Sequence, residues 1–210
     1  MNVHCEECLW NHPFSKTYWQ DAFKGLKDIK KLVLASIMIS MMIVVNIYGT
    51  ALNIEVLGSK VYFEFIPAAI CSMLMGPVIG MMAGAISDIL GFMFLSGGYP
   101  FFFGYTLSAM MASFVYALFL YKTRITIVKI LVAKLIVNIV INVLMGSLWK
   151  AIMFNSIPLY WHYVGLSVIK NMIMLPFEVS ILYYLLKYLI PISKAANVMS
   201  LRVPDVIPLF

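Results

Sequence analysis

The chain has 210 residues, of which 63% are hydrophobic and only 11% charged, with a mean hydropathy of +0.95. Soluble domains carry roughly 25% charged residues, so the composition excludes a soluble globular protein and points to an integral membrane protein. The formal net charge of +6 does not read as nucleic-acid affinity, because most basic residues flank apolar segments, where they set orientation.

A spanning helix needs about 20 apolar residues, which leaves room for roughly six spans. Residues 1–31 are not a span and carry no secretory leader, since the first apolar run begins only near Leu32. Cys5 and Cys8 form a C-x-x-C flanked by His4 and His12. Such a set suits a small zinc or redox site, or else a cytoplasmic tail with reduced thiols. From Ser15 onwards, Tyr18, Trp19 and Phe23 are interleaved with Lys16, Lys24, Lys27, Lys30 and Lys31. That pattern predicts a short amphipathic helix at the membrane interface, and its lysines place it on the cytoplasmic side.

The first span is expected over 32–48. It carries Ser36 and Ser40, four apart and preceded by Ala35, and small residues so spaced let another helix approach closely. Residues 50–62 form an outside loop with Glu55 and Lys60. A second span over 63–75 ends at Gly76-Pro77, read as a sharp inside turn. In the third, over 78–95, Gly80, Gly84, Asp88 and Gly91 share one face. A carboxylate there is a functional candidate, or it bonds a backbone group or a neighbouring hydroxyl such as Ser87 or Ser108. Cys71, inside an apolar segment, reads as a packing residue.

Residues 96–104 form a second outside loop, where Gly97 and Gly98 precede Pro100. Tyr99, Phe101, Phe102, Phe103 and Tyr105 suit either an interfacial aromatic belt or a lid over a flat ligand. The fourth span, 105–121, leads to a basic loop with Lys122, Arg124 and Lys129. In the fifth, 128–154, Lys134, Asn138, Asn142 and Trp149 recur as one helical stripe. Lys134 is expected to snorkel towards the cytoplasm, while the buried amides need partners, on other helices or on a ligand. After a third outside loop over 155–163, the sixth span, 164–190, contains Lys170, Asn171, Pro176 and Glu178.

The expected organisation is therefore an interfacial segment (1–31), a six-helix membrane domain (32–192) and a tail (193–210), with both termini cytoplasmic. Lys60, Lys150 and Lys170 depart from the positive-inside pattern. Three cations near one outer mouth suit an anion, or are separate snorkelling residues. Glu55 and Glu64 could neutralise them. An intramembrane enzyme built on Asp88, His162, Lys170 and Glu178 lacks paired acids, metal-ligand spacing or a nucleophile–base pair. A channel or secondary transporter would show internal repeats or paired charges along a pathway.

The stretches KVYFEFIPAA (60–69), GPVIGMMAGAISDILG (76–91), GGYPFFFGYTLSA (97–109), NVLMGSLW (142–149) and IKNMIMLPFEV (169–179) resemble the folate family of energy-coupling-factor (ECF) transporter S components. The likeness extends over about 14–193. It implies a vitamin pocket near the outer surface, folate as cargo and no cofactor. It implies two kinds of partner, a transmembrane coupling subunit and two ATP-binding-cassette ATPases, in the lipid bilayer of the cell membrane. The chain has no Walker A pattern and would not itself hydrolyse ATP. Ser36 and Ser40 match the family's small-xxx-small coupling motif. The implied ligand set is Lys60, Tyr62, Glu64, Tyr99, Phe102, Tyr105, Asn142, Trp149, Lys150, Lys170 and Asn171. Tyr99 and Phe102 would stack on the pterin, Asn142 and Asn171 would bond its heteroatoms, and Lys60, Lys150 or Lys170 would hold the carboxylates. Two positions depart from the pattern: Lys60 stands where Arg is expected, and Glu64 where a small residue is usual.

Overall fold

The computed structural model describes residues 16–51, 55–56, 59–60, 63–95, 100–195 and 207–208. These residues are almost entirely helical. Helix α1 (Lys16–Lys24) passes through a 3-10 turn (Gly25–Lys27) into α2 (Ile29–Ala51). Strands β1 (Glu55–Val56) and β2 (Ser59–Lys60) pair antiparallel, with Glu55 opposite Lys60. Then come α3 (Phe65–Met75), α4 (Pro77–Leu95) and α5 (Phe103–Leu120). Next is a near-continuous rod of α6 (Ile127–Ile136), a π-helical segment (Val137–Met145) and α7 (Gly146–Met153). A 3-10 turn (Ile157–Leu159) leads into α8 (Tyr160–Ala195).

Among the described residues, five stretches are long and apolar enough to cross a bilayer: Ile29–Gly49, Pro77–Phe94, Phe103–Leu120, Ile127–Met153 and Ile157–Ala195. Helix α3 is different. Its 11 residues rise only about 16 Å, against a hydrocarbon core of about 30 Å. Every residue from Pro67 to Met75 is buried. A helix enclosed by its neighbours needs no polar stripe, so its sequence looks like a truncated span while its place is the centre of the bundle.

Small residues set the helix spacing around it. A Cβ on Gly80 would lie 2.9 Å from Ser72 Oγ on α3, and one on Gly84 would lie 2.8 Å from the Ala109 carbonyl oxygen on α5. In lipid, close backbone approach supplies much of the packing, and the predicted glycine face of α4 serves this purpose at both positions. Among the described residues, Gly91 has only Asn46 Nδ2, at 3.7 Å. The α3–α4 turn needs its glycine: Gly76 has φ +89°, and the Tyr121 ring lies where a Cβ would go.

A short helix, α1, does form in the segment expected to lie at the interface, and it packs on protein. Tyr18 and Ala22 are fully buried. The Tyr18 hydroxyl donates to the Ala117 carbonyl at 3.1 Å, its ring meets Tyr121 edge-on, and Trp19 stacks on Phe114. Lys122 Nζ sits 2.6 Å from Asp21 Oδ2. This defines one end of the bundle, the α1 end. The region taken as a tail also returns there: Ile207 is buried in the core, and the Pro208 carbonyl accepts from Ile127 N at 3.1 Å.

Candidate functional site

The opposite end, where α2 and α7 finish and α3, α5 and α8 begin, gathers the aromatic candidates. Phe102 is extended at the N-cap of α5, which swings its ring over the bundle end. Its centroid lies 5.9 Å from that of Tyr105 and 5.6 Å from that of Trp149. Trp149 Nε1 donates to Ser108 Oγ at 2.9 Å, which fixes the indole between α7 and α5. Gly104 keeps the floor open, since a Cβ there would collide with both Phe102 and Trp149. Three half-buried rings form an apolar wall of the kind that takes a flat heterocycle.

Below it, a polar network crosses from α6 to α8. Lys134 Nζ lies 3.3 Å from Glu178 Oε1 and 3.6 Å from the centroid of the Phe65 ring. Asn138 Nδ2 donates to Glu178 Oε2 at 2.8 Å, and Asn142 Nδ2 donates to Asn138 Oδ1 at 3.0 Å. Lys134, Asn138 and Glu178 are buried, and Asn142 is exposed at the end of the chain of bonds. The expectation that Lys134 snorkels is corrected: its ammonium is enclosed and finds its counter-ion on α8. The single stripe from Lys134 to Trp149 is also corrected. Gly146 N bonds the Ile141 carbonyl, five residues back. A π segment uses more residues per turn than an α-helix, so a stripe drawn at α-helical spacing loses phase beyond Val137. Lys134 and Asn138 face α8, whereas Trp149 faces α5.

The carboxylates at this end are held by the protein. Glu64 accepts from Asn46 Nδ2 on α2 and from Ser87 Oγ on α4, each at 3.1 Å. Ser87 Oγ also lies 3.0 Å from the Gly84 carbonyl, so its one proton has two acceptors to choose between. Asp88 accepts from Thr106 Oγ1 at 2.6 Å. Asp88 thus bonds a neighbouring hydroxyl as foreseen, but that of Thr106. Ser87 turns to Glu64 and Ser108 to Trp149.

Lys150 and Lys170 are half-buried on α7 and α8. Asn171 Nδ2 donates to the carbonyl of Ser167 on its own helix at 2.8 Å, and Ser167 Oγ lies 3.4 Å from Ser147 Oγ. Lys60 is in β2. Tyr62 and Tyr99 lie outside the described residues, as do His4, Cys5, Cys8 and His12. Among the described residues no three His, Cys, Asp or Glu side chains gather as a metal site. Ser36 and Ser40 are exposed on α2, each hydroxyl bonded to the carbonyl four residues back. The residues missed from sequence are Lys134, Asn138 and Glu178 as one unit, together with Ser108 and Thr106. Mid-helix polar residues at membrane depth were the available signal.

The family model described as "ECF transporter, substrate-specific component" matches residues 30–199. The chain belongs to this family. Among curated proteins, this S component is 28% identical over 158 residues to the folate transporter FolT of Clostridium novyi, covering 75% of this chain and 88% of that one. It is also 28% identical over 163 residues to the folate transporter FolT of Leuconostoc mesenteroides subsp. mesenteroides, covering 76% and 85%. Among solved structures it is similar to FolT bound with folic acid, with a TM-score of 0.66 and 29% identity, covering 75% of this chain and 93% of that one. It is thus a membrane subunit whose family supplies substrate binding to a transporter.

Proposed function

We propose that this S component captures folate from outside the cell and delivers it through an ATP-driven ECF importer. The observation that carries this reading is the similarity to FolT along most of both chains, including a structure holding folic acid. The Phe102–Tyr105–Trp149 wall supports it. On this reading the chain spans the cell membrane six times, with α3 completing one crossing and both termini cytoplasmic. Helix α1 then lies at the inner interface, and the aromatic end faces out. The chain is non-catalytic, and two ABC-type ATPases joined through a coupling subunit supply the energy.

Phe102 and Tyr105, with Tyr99 from the adjoining loop, stack on the pterin, and Trp149 backs Phe102. Asn142 and Asn171 offer their side-chain carbonyl oxygens to the heteroatoms. Lys60, Lys150 and Lys170 hold the carboxylates of the glutamate tail, and Tyr62 adds a further contact to the ligand. Glu64 has both oxygens engaged by α2 and α4, so it ties three helices together at the rim. Its charge is drawn towards Asn46 and Ser87 and away from the cargo. Ser36 and Ser40 contact the coupling subunit.

Titration of the purified full-length chain with folate tests the ligand. Saturable one-to-one binding with a sub-micromolar constant, or on the order of −8 kcal/mol or better, is expected. Lys150→Ala and Lys170→Ala should each weaken folate binding about tenfold while leaving a pterin without the glutamate tail unaffected, as loss of one charge-assisted bond predicts. Equal loss for both ligands would remove the lysines from the carboxylate role. Mass spectrometry that finds another vitamin released from the denatured chain would replace folate as cargo.

A further inference from the structure

The junction of α1 and α2 carries a feature that vitamin capture does not use. Lys16, Lys24, Lys27 and Lys30 are all exposed within one short elbow. Of the two acids in it, Asp21 pairs with Lys122, while Asp28 stays exposed within the elbow, its Oδ1 accepting from the backbone N of Lys30 at 3.0 Å, so lysines outnumber the unpaired acid four to one. Among the described residues neither Lys27 nor Lys30 has an ion-pair partner. Beside Lys30 a shallow groove runs along the surface of α2, lined by Ile29, Lys30, Val33, Leu34 and Ile37, all of that one helix. Its walls are apolar and open outwards, Ile29 being 76% exposed. Phe23 is exposed on the α1 side.

We propose that this groove is a binding site for an anionic phospholipid. The phosphate is held by Lys27 and Lys30, and one acyl chain lies along Ile29, Val33 and Ile37. Charge and shape together favour this occupant. A cationic rim above an apolar channel on a membrane-facing helix matches a headgroup continuous with a chain. A free anion would use the rim and leave the channel bare, and a neutral lipid would use the channel and leave the rim unpaired. The site lies at the opposite end of the bundle from the aromatic wall and is independent of which vitamin is bound.

The test is native mass spectrometry of the full-length chain released from nanodiscs containing equal parts of phosphatidylglycerol and phosphatidylcholine with identical acyl chains. The expected result is one retained phosphatidylglycerol. Each lysine near an anionic surface contributes about fivefold, so Lys27→Gln with Lys30→Gln should lower retention about 25-fold, while Lys27→Arg with Lys30→Arg keeps it. Val33→Trp, which fills the channel without changing charge, should also expel the lipid. Thermal unfolding equal to that of the unaltered chain shows that each variant is folded. Equal retention of both lipids, unchanged retention in the double glutamine variant, or displacement of phosphatidylglycerol by glycerol phosphate would overturn the proposal.

Discussion

Lys134 and Glu178 bear most directly on stability at the level of single residues. Taking two charges into an apolar bundle is costly, and the cost is offset only while each has its partner and its remaining polar atoms are bonded. Here Glu178 has Lys134 on one oxygen and Asn138 on the other. Lys134→Met alone leaves the carboxylate facing an apolar neighbour and is expected to cost about 3–5 kcal/mol. Pairing it with Glu178→Gln, which keeps an acceptor for Asn138, should recover much of that loss. Denaturant unfolding of the single and double variants in mixed micelles measures both, and additive losses would mean that the two residues are not coupled. Glycines give a sharper steric contrast. Gly84→Ala places a methyl 2.8 Å from the Ala109 carbonyl and the Ser113 hydroxyl, and should destabilise by about 1–3 kcal/mol through forced separation of α4 and α5. Gly91→Ala, with its nearest neighbour 3.7 Å away, should be close to neutral in the same assay.

These two cases also show what could be read from the chain at the level of elements and what could not. The face of α4 was legible because glycines four apart map directly onto one side of a regular helix. Most helix boundaries were legible through apolar run length and the Gly76-Pro77 punctuation, but the loop expected over 155–163 is corrected: α8 already begins at Tyr160 and runs to Ala195, because aromatic and polar residues at a helix end read like a loop. The Lys134–Glu178 bond was not, because it joins helices distant in sequence, and snorkelling describes a lysine free to reach water. The π segment was hidden as well, since Asn138 bonds a partner 40 residues away and no local spacing reports such a bond. The aromatic wall was half legible: Phe102, Tyr105 and Trp149 could be named, but their convergence depends on the phase of α7 after the π segment. Helix α1 makes a separate prediction. The hydrogen bond and charge of Lys122 hold Asp21 below the usual carboxylate range. A depressed value means that the pair stabilises the folded state above the ordinary Asp range, and that the contribution fades as pH falls through the lowered value. Amide exchange protection over 16–24, corrected for intrinsic rates, should therefore be constant from pH 5 to pH 8 if the pair holds. Lys122→Ala should reduce it across that whole window. Protection that rises or falls between those pH values would assign α1 docking to some other group.

At the scale of the whole molecule, the two ends of the bundle divide the work. One end carries the aromatic wall and the helix tie through Glu64. The other is closed by α1 and by the return of Ile207 and Pro208 to α6. Between them α2 is the least enclosed of the long helices, with only 17% of its span buried. Ile29, Val33, Ser36, Ser40 and Val44 follow one another at three- and four-residue steps, which is one face of a helix, and all five are exposed. That face holds both the proposed lipid channel and the proposed coupling contact. A lipid lying along Val33 and Ile37 runs towards Ser40, so lipid and coupling subunit contend for the same surface. Substituting Ser36 and Ser40 together by Leu should abolish ATP-dependent uptake by the assembled transporter and leave folate affinity of the isolated chain unchanged. Lys27→Gln with Lys30→Gln should instead tighten association with the coupling subunit, because a competitor has been weakened. Pull-down of the coupling subunit against increasing phosphatidylglycerol separates the two effects. Association that weakens with the lipid for the unaltered chain, but not for the glutamine variant, is the signature of competition. Association indifferent to the lipid in both would confine the coupling contact to a different part of α2.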